Sequence, residues 1–95
     1  MTAWRLSPRA RREMIGIWQY TADRWGEDQA DRYIRQIEHD LTAAAAGSPL
    51  VRPFEDYWRI ASGRHVCVFR RDDRGAVIVL RVLHLSQDIP ARLRD

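Results

Sequence analysis

Apolar residues recur every three or four positions through the first half of this chain and at strand spacing after Pro53, and that switch fixes the class of fold. Ala10, Met14, Ile17, Trp18, Thr21 and Trp25 line one face of a helix that Ser7-Pro8 opens. Ser7 can cap orphan amides, Pro8 suits the first helical position, and Gly26 stands where this helix ends. Ala30, Tyr33, Ile34, Ile37, Leu41 and Ala44 or Ala45 repeat the period in a second helix, closed by Gly47-Ser48-Pro49. So short a connection predicts an antiparallel helical hairpin. Residues 57–62, 64–71 and 76–84 are then three β-type runs, separated by Ser62-Gly63 and by Asp72-Asp73-Arg74-Gly75. Val77-Ile78-Val79-Leu80 is apolar on both faces, which puts that strand inside the sheet. A short strand over residues 3–6 and one helical turn after Pro90 complete the order β-α-α-β-β-β with a short terminal α. The expected fold is α+β: a helical hairpin on one face of a small, mostly antiparallel four-stranded sheet.

Ninety-five residues make room for one domain, expected to span 1–95. The 31% charged fraction is high, but the signs nearly cancel at +3, which argues against a disordered chain. No apolar run approaches the ~20 residues that span a bilayer, and the start MTAWRLSPRARRE lacks a secretory apolar stretch. A cytoplasmic protein without a membrane partner is the expectation. The lone Cys67 excludes an internal disulfide, and no Cys/His spacing makes a zinc site. No metal or cofactor is therefore expected. Every basic residue among the sixteen is Arg. A Lys general base, a Schiff base and a phosphate-loop Lys are thus all ruled out.

Catalytic signatures are missing as well: there is no G-x-S-x-G, no H-E-x-x-H and no Gly-rich phosphate loop. Cys67, mid-strand among Val66, Val68 and Phe69, reads as a buried inert thiol, and His39 as a solvated helix residue. The second half concentrates Arg59, Arg64, His65, Arg70, Arg71, Arg81 and His84. They read either as an anion or nucleic-acid surface or as solvent-facing strand residues paired with acids of the helices and turn. Seven scattered groups in a +3 chain make a thin phosphate footprint, which weighs toward the second. Trp4, Trp25 and Trp58 fall near element ends, where exposed aromatics anchor protein partners, and the outer strand edges stand open.

With that topology, several segments resemble the RelE/ParE toxin superfamily, in its ParE branch. They are R-L-S-P-R-A-R-R-E-M at 5–14, I-W-Q-Y-T-A-D-R-W-G at 17–26 and Q-A-D-R-Y-I-R-Q-I at 29–37. Y-W-R-I-A-S-G-R-H-V-C-V-F-R at 57–70 and I-V-L-R-V-L-H at 78–84 continue the match over almost the whole chain. The resemblance implies a type II toxin silenced by a cognate antitoxin, ParD-like or related, in a hetero-oligomer. ParE-like toxins act on DNA gyrase, whereas RelE-like toxins cut messenger RNA on the ribosome, so site residues must decide. Arg59 fits the nuclease pattern and His65 stands near its next Arg. However, Ala61 takes the alternate basic position, Leu85 follows His84, and no aromatic occurs after Phe69. This favours a binding toxin with no catalytic residues and no sequence-specific nucleic-acid contact. Arg59, His65, Arg81 and His84 form the set for the nuclease alternative. The expected antitoxin contacts are Trp18, Trp25, Trp58, Arg59 and Arg64, with a strand edge at Trp58. Arg81, His84, Arg92 and Arg94 are expected to face gyrase.

Overall fold

A computed structural model describes residues 3–94. Its first strand, β1 (Trp4–Leu6), leads into helix α1 (Pro8–Trp25), whose cap is built from sequence-local groups. Ser7 Oγ accepts the Ala10 N–H at 3.0 Å, and Pro8 supplies the first helical residue without an amide to satisfy. Gly26 ends α1 at φ 91°, a conformation that favours glycine, and its carbonyl accepts the first N–H bond of α2 (Glu27–Ala45). One residue thus turns the chain between two antiparallel helices. Trp18 pins the pair by donating its indole N–H to Asp31 Oδ1 at 2.8 Å.

The sheet has five strands, in the order β1-β5-β4-β3-β2: β2 is Arg52–Phe54, β3 Tyr57–Ser62, β4 His65–Arg71 and β5 Val77–His84. The fold is α+β as expected, and the fifth strand corrects the expected count of four. Pro53 conceals it, because proline within a three-residue run argues against a strand. The chain accommodates Pro53 at an edge, where its missing N–H breaks no ladder on the solvent side. It pairs there with Trp58, so β3 is not the open edge that the sequence suggests.

Helices α1 and α2 cover one face of the sheet. Ile37 and Leu41 pack there with Ile60, Cys67, Phe69, Val77, Val79 and Val82. On the other face Val66, Val68 and Leu83 are covered by the short helix α3 (Ile89–Leu93) through Ile89 and Leu93. Burying a side chain such as Ile37 or Phe69 completely stabilises the fold by roughly 1.5–3 kcal/mol.

β1 runs parallel to β5 and pairs only with Val77–Val79. Past Leu6, other groups replace the missing strand. Ser7 N–H bonds the Val79 carbonyl at 2.8 Å, and Ser7 Oγ donates to the Leu80 carbonyl at 3.1 Å. Glu13 Oε1 then accepts the Val82 N–H at 2.8 Å. Across from this edge Leu80 is the extra residue of a β-bulge, since Val68 pairs with Arg81 but Phe69 with Val79.

Candidate functional site

Where α1 leans on the end of β5, the side chains leave an open pocket of about 830 Å³. Its walls come from four places: the Arg9–Trp25 face of α1, Gln29 and Tyr33 of α2, the Gly63-Arg64-His65 turn, and the stretch from Arg81 through Gln87 with Arg92.

The floor is a pair of histidines. His65 and His84 are cross-strand partners, and their rings meet edge to face with centroids 5.2 Å apart. Tyr33 reaches over from α2 and sets its hydroxyl 2.6 Å from His65 Nδ1, while accepting the Arg64 N–H at 3.0 Å. The hydrogen-bond network assigns the hydroxyl proton to Nδ1 and leaves His65 with its own proton on Nε2. Burial, reinforced by repulsion from His84, lowers the His65 pKa from 6.5 to about 4, so its ring is neutral at pH 7. On His84, Nδ1 accepts the Ser86 N–H at 3.1 Å, which again assigns the proton to Nε2. Gln87 Oε1 fixes the same corner by accepting the His84 N–H at 2.9 Å.

Gly63 allows Tyr33 to come so close. It sits at φ 57°, and a Cβ there would lie 2.8 Å from the tyrosine ring and hydroxyl. A side chain at 63 and the Tyr33 contact exclude each other.

Arg81 forms one side of the pocket but is already engaged. Its Nε and one terminal nitrogen both lie 2.9 Å from Glu13 Oε2, and the other terminal nitrogen donates to the Arg92 carbonyl. Only 8% of the residue is exposed. A guanidinium spent in this way ties α1 and α3 to β5, which departs from its expected role as a target-facing group.

The expected nuclease set does not assemble. His65, Arg81 and His84 line the pocket, but Arg59 does not: it lies on the sheet face away from the two histidines, in register with Arg81 through Val68, and stacks its guanidinium over Phe54, 5.3 Å from the ring centroid. Alternation along β3 separates Arg59 from the histidines: Ile60 points toward the helices, so its neighbour Arg59 points away.

The expected partner contacts are spread over the surface. Trp25 is 64% exposed at the pocket mouth, although its helical spacing put it on the core face. Trp18 is half-buried, with its N–H committed to Asp31. Trp58 is exposed on β3, and Arg64 is exposed on the turn beside Tyr33. Arg92 lies at the pocket wall, whereas Arg94 pairs with Glu55 at 3.4 Å on the surface. Three residues that organise the pocket were not among the expected site residues: Tyr33, Glu13 and Gly63. Tyr33 falls on an apolar helix face, whose spacing predicts packing and not a site, and no spacing signal links Glu13 to Arg81 across the chain.

The model of the ParE toxin family, from the type II toxin-antitoxin system parDE, matches residues 4–89. Toxin ParE1 of Mycobacterium tuberculosis is 36% identical over 92 residues, covering 93% of this chain and 94% of that protein. Toxin ParE1 of Caulobacter vibrioides is 37% identical over 97 residues, covering 98% and 99%. Toxin ParE of Escherichia coli is 34% identical over 102 residues, covering 100% and 96%. A chain of the chromosomal ParDE TA system from P. aeruginosa superposes with a TM-score of 0.74 over 88% of this chain and 96% of that one. At 16% identity that likeness speaks to the fold. The sequence matches go further: the chain belongs to the ParE toxin family of type II toxin–antitoxin systems.

Proposed function

We propose that this toxin acts by binding rather than by catalysis, inhibiting DNA gyrase in the cytoplasm until a cognate ParD-like antitoxin sequesters it in a hetero-oligomer. The observation that carries this reading is the dispersal of the would-be cleavage residues. Phosphodiester cleavage needs cations on the scissile phosphate together with a positioned base and acid. Here Arg59 stacks on Phe54 across the sheet, and Arg81 is held by Glu13. Exposed Trp25, Trp58 and Arg64 are the kind of anchors an antitoxin segment would cover. The family's parDE pairing supports such a partner.

Purified gyrase with ATP and plasmid provides the test. Accumulation of cleaved plasmid in the presence of this protein, reversed by its antitoxin, is the expected result. Unchanged supercoiling and cleavage at protein levels that arrest cells would refute gyrase as the target. One observation favours the ribonuclease alternative: His65, His84 and Arg81 do meet in one pocket. Primer extension on cellular messages separates the two, because cuts within codons belong to the nuclease alone.

A further inference from the structure

The two histidines on the pocket floor hold the closest kind of cross-strand position. Leu85 N–H donates to the Arg64 carbonyl at 2.9 Å, which makes residues 64 and 85 a hydrogen-bonded pair at the end of the β4–β5 ladder. The next pair, His65 and His84, is therefore of the alternate kind: its amides turn outward and its side chains stand nearest, with Cα atoms roughly 4.5 Å apart. The His84 N–H confirms this parity by leaving the ladder for Gln87 Oε1.

Their rings stand with centroids 5.2 Å apart and planes at 81°. An ion held tetrahedrally by two imidazole nitrogens at ~2.0–2.1 Å sets the ring centroids roughly 5 Å apart, so the spacing already suits one. Among the described residues neither Nε2 has a hydrogen-bond partner. Behind each ring stands a hydroxyl: Tyr33 Oη lies 2.6 Å from His65 Nδ1, and Ser86 Oγ 2.7 Å from His84 Nδ1. Hydroxyls accept as well as donate. Each can therefore take a ring proton on Nδ1 while Nε2 gives its lone pair to an ion, the arrangement that orients metal-bound histidines. The proton only changes nitrogen, and each imidazole stays neutral.

The surroundings select the class of ion. No third His, Cys, Asp or Glu joins the pair into a group of three among the described residues, so the other positions fall to water. Arg9, Arg64, Arg81 and Arg92 line the same pocket. That lining disfavours magnesium and calcium, which carboxylate and carbonyl oxygens hold. It leaves the ions that imidazole nitrogen binds strongly, zinc among them.

We propose that His65 and His84 bind one zinc ion per chain through their Nε2 atoms, with the Tyr33 and Ser86 hydroxyls fixing the rings from behind. The site stands apart from gyrase inhibition and does not depend on it. Zinc there would clamp the ends of β4 and β5 together and, through Tyr33, hold α2 to them.

Isothermal titration of the metal-stripped whole protein with zinc chloride tests the proposal. One ion per chain should bind, whereas magnesium chloride should give no binding heat. His84→Ala should abolish zinc binding. Tyr33→Phe keeps both ligands but removes the acceptor behind His65, and should weaken binding by about tenfold or more. His39→Ala, which removes the third histidine of the chain from the exposed side of α2, should leave binding unchanged. Circular dichroism checks that each variant is folded. Nitrogen-15 NMR of the wild type reads the rings without any variant: zinc should convert both from the Nε2–H to the Nδ1–H form. Four results would overturn the site: no binding of zinc, a folded His84→Ala variant that binds like the wild type, loss of binding in His39→Ala, or imidazole tautomers that zinc leaves unchanged.

Discussion

Glu13 and Arg81, 68 positions apart in sequence, meet with their charged groups 2.9 Å apart where β5 runs on past the end of β1 and has a strand on one side only. The Glu13 carboxylate does two things there: it pairs with the guanidinium and stands in for a strand partner at the Val82 amide. Glu13→Ala leaves both donors wanting. The expected cost is about 2–4 kcal/mol, set by a poorly exposed charge that loses its partner. Glu13→Gln should recover part of it, because the amide oxygen still accepts from Val82. Urea titrations of the two variants measure the difference, and equal losses would mean that the Val82 bond contributes nothing.

Gly63→Ala combines two penalties, a φ of 57° and a Cβ placed 2.8 Å from Tyr33. A destabilisation of about 1–3 kcal/mol is expected. A double-mutant cycle separates the sources. In a Tyr33→Ala background the steric part vanishes, so the second substitution should cost no more than the backbone penalty of about 1 kcal/mol. Strict additivity would show that the ring yields freely.

His65 links the pocket to pH. Its folded pKa of about 4 lies below the ordinary 6.5, so the unfolded chain takes up the proton first. Stability is therefore fully present above pH 6.5 and falls as pH drops from there toward 4. The ring keeps some access to solvent, so the loss is on the order of 1 kcal/mol. His65→Gln retains an acceptor for Tyr33 and should flatten that part of the stability–pH curve. A curve that keeps its slope in this variant would assign the titration to another group.

Trp58 lies beside Pro53 yet keeps 39% of its surface exposed. If it anchors the antitoxin, Trp58→Ala should weaken the complex by about 2 kcal/mol while leaving the fold intact. Calorimetry with the purified antitoxin reads this directly, and an unchanged affinity removes Trp58 from the interface.

Cys67 is fully buried, and burial together with the nearby Asp40 charge pushes its thiol up to about 12. The thiolate is the reactive species, so the native protein should resist iodoacetamide at about pH 8. Labelling should instead follow the rate of global unfolding across a denaturant series. Fast labelling of the native state would reveal local opening of β4.

The sequence told more about elements than about their meeting places. Ser7, Pro8 and Gly26 mark their boundaries through local chemistry, and the β5 run announces itself by being apolar on both faces. Pro53 misled because a residue that forbids an interior strand is harmless on an edge. Trp25 is the last member of the apolar series on α1, and its place near the helix end, which already marked it as an exposed aromatic, outweighs its helical spacing. The pocket was only half legible. His65, Arg81 and His84 stand on neighbouring strands, but strand alternation divides Arg59 from the two histidines once Ile60 is known to face the helices. Tyr33 and Glu13 act through contacts between distant segments, and nothing local in the sequence encodes those.

The placement of β1 also bears on the order in which this toxin is made. Trp4, Arg5 and Leu6 find their partners only at Val77, Ile78 and Val79. During synthesis the opening strand and the carboxylate behind it must wait until most of the chain has followed. The helical hairpin can form early from its own neighbours, whereas the sheet closes late. Nascent fragments that lack β5 therefore leave β1 unpaired and the basic pocket unbuilt, so a prematurely released chain would present neither surface to a partner.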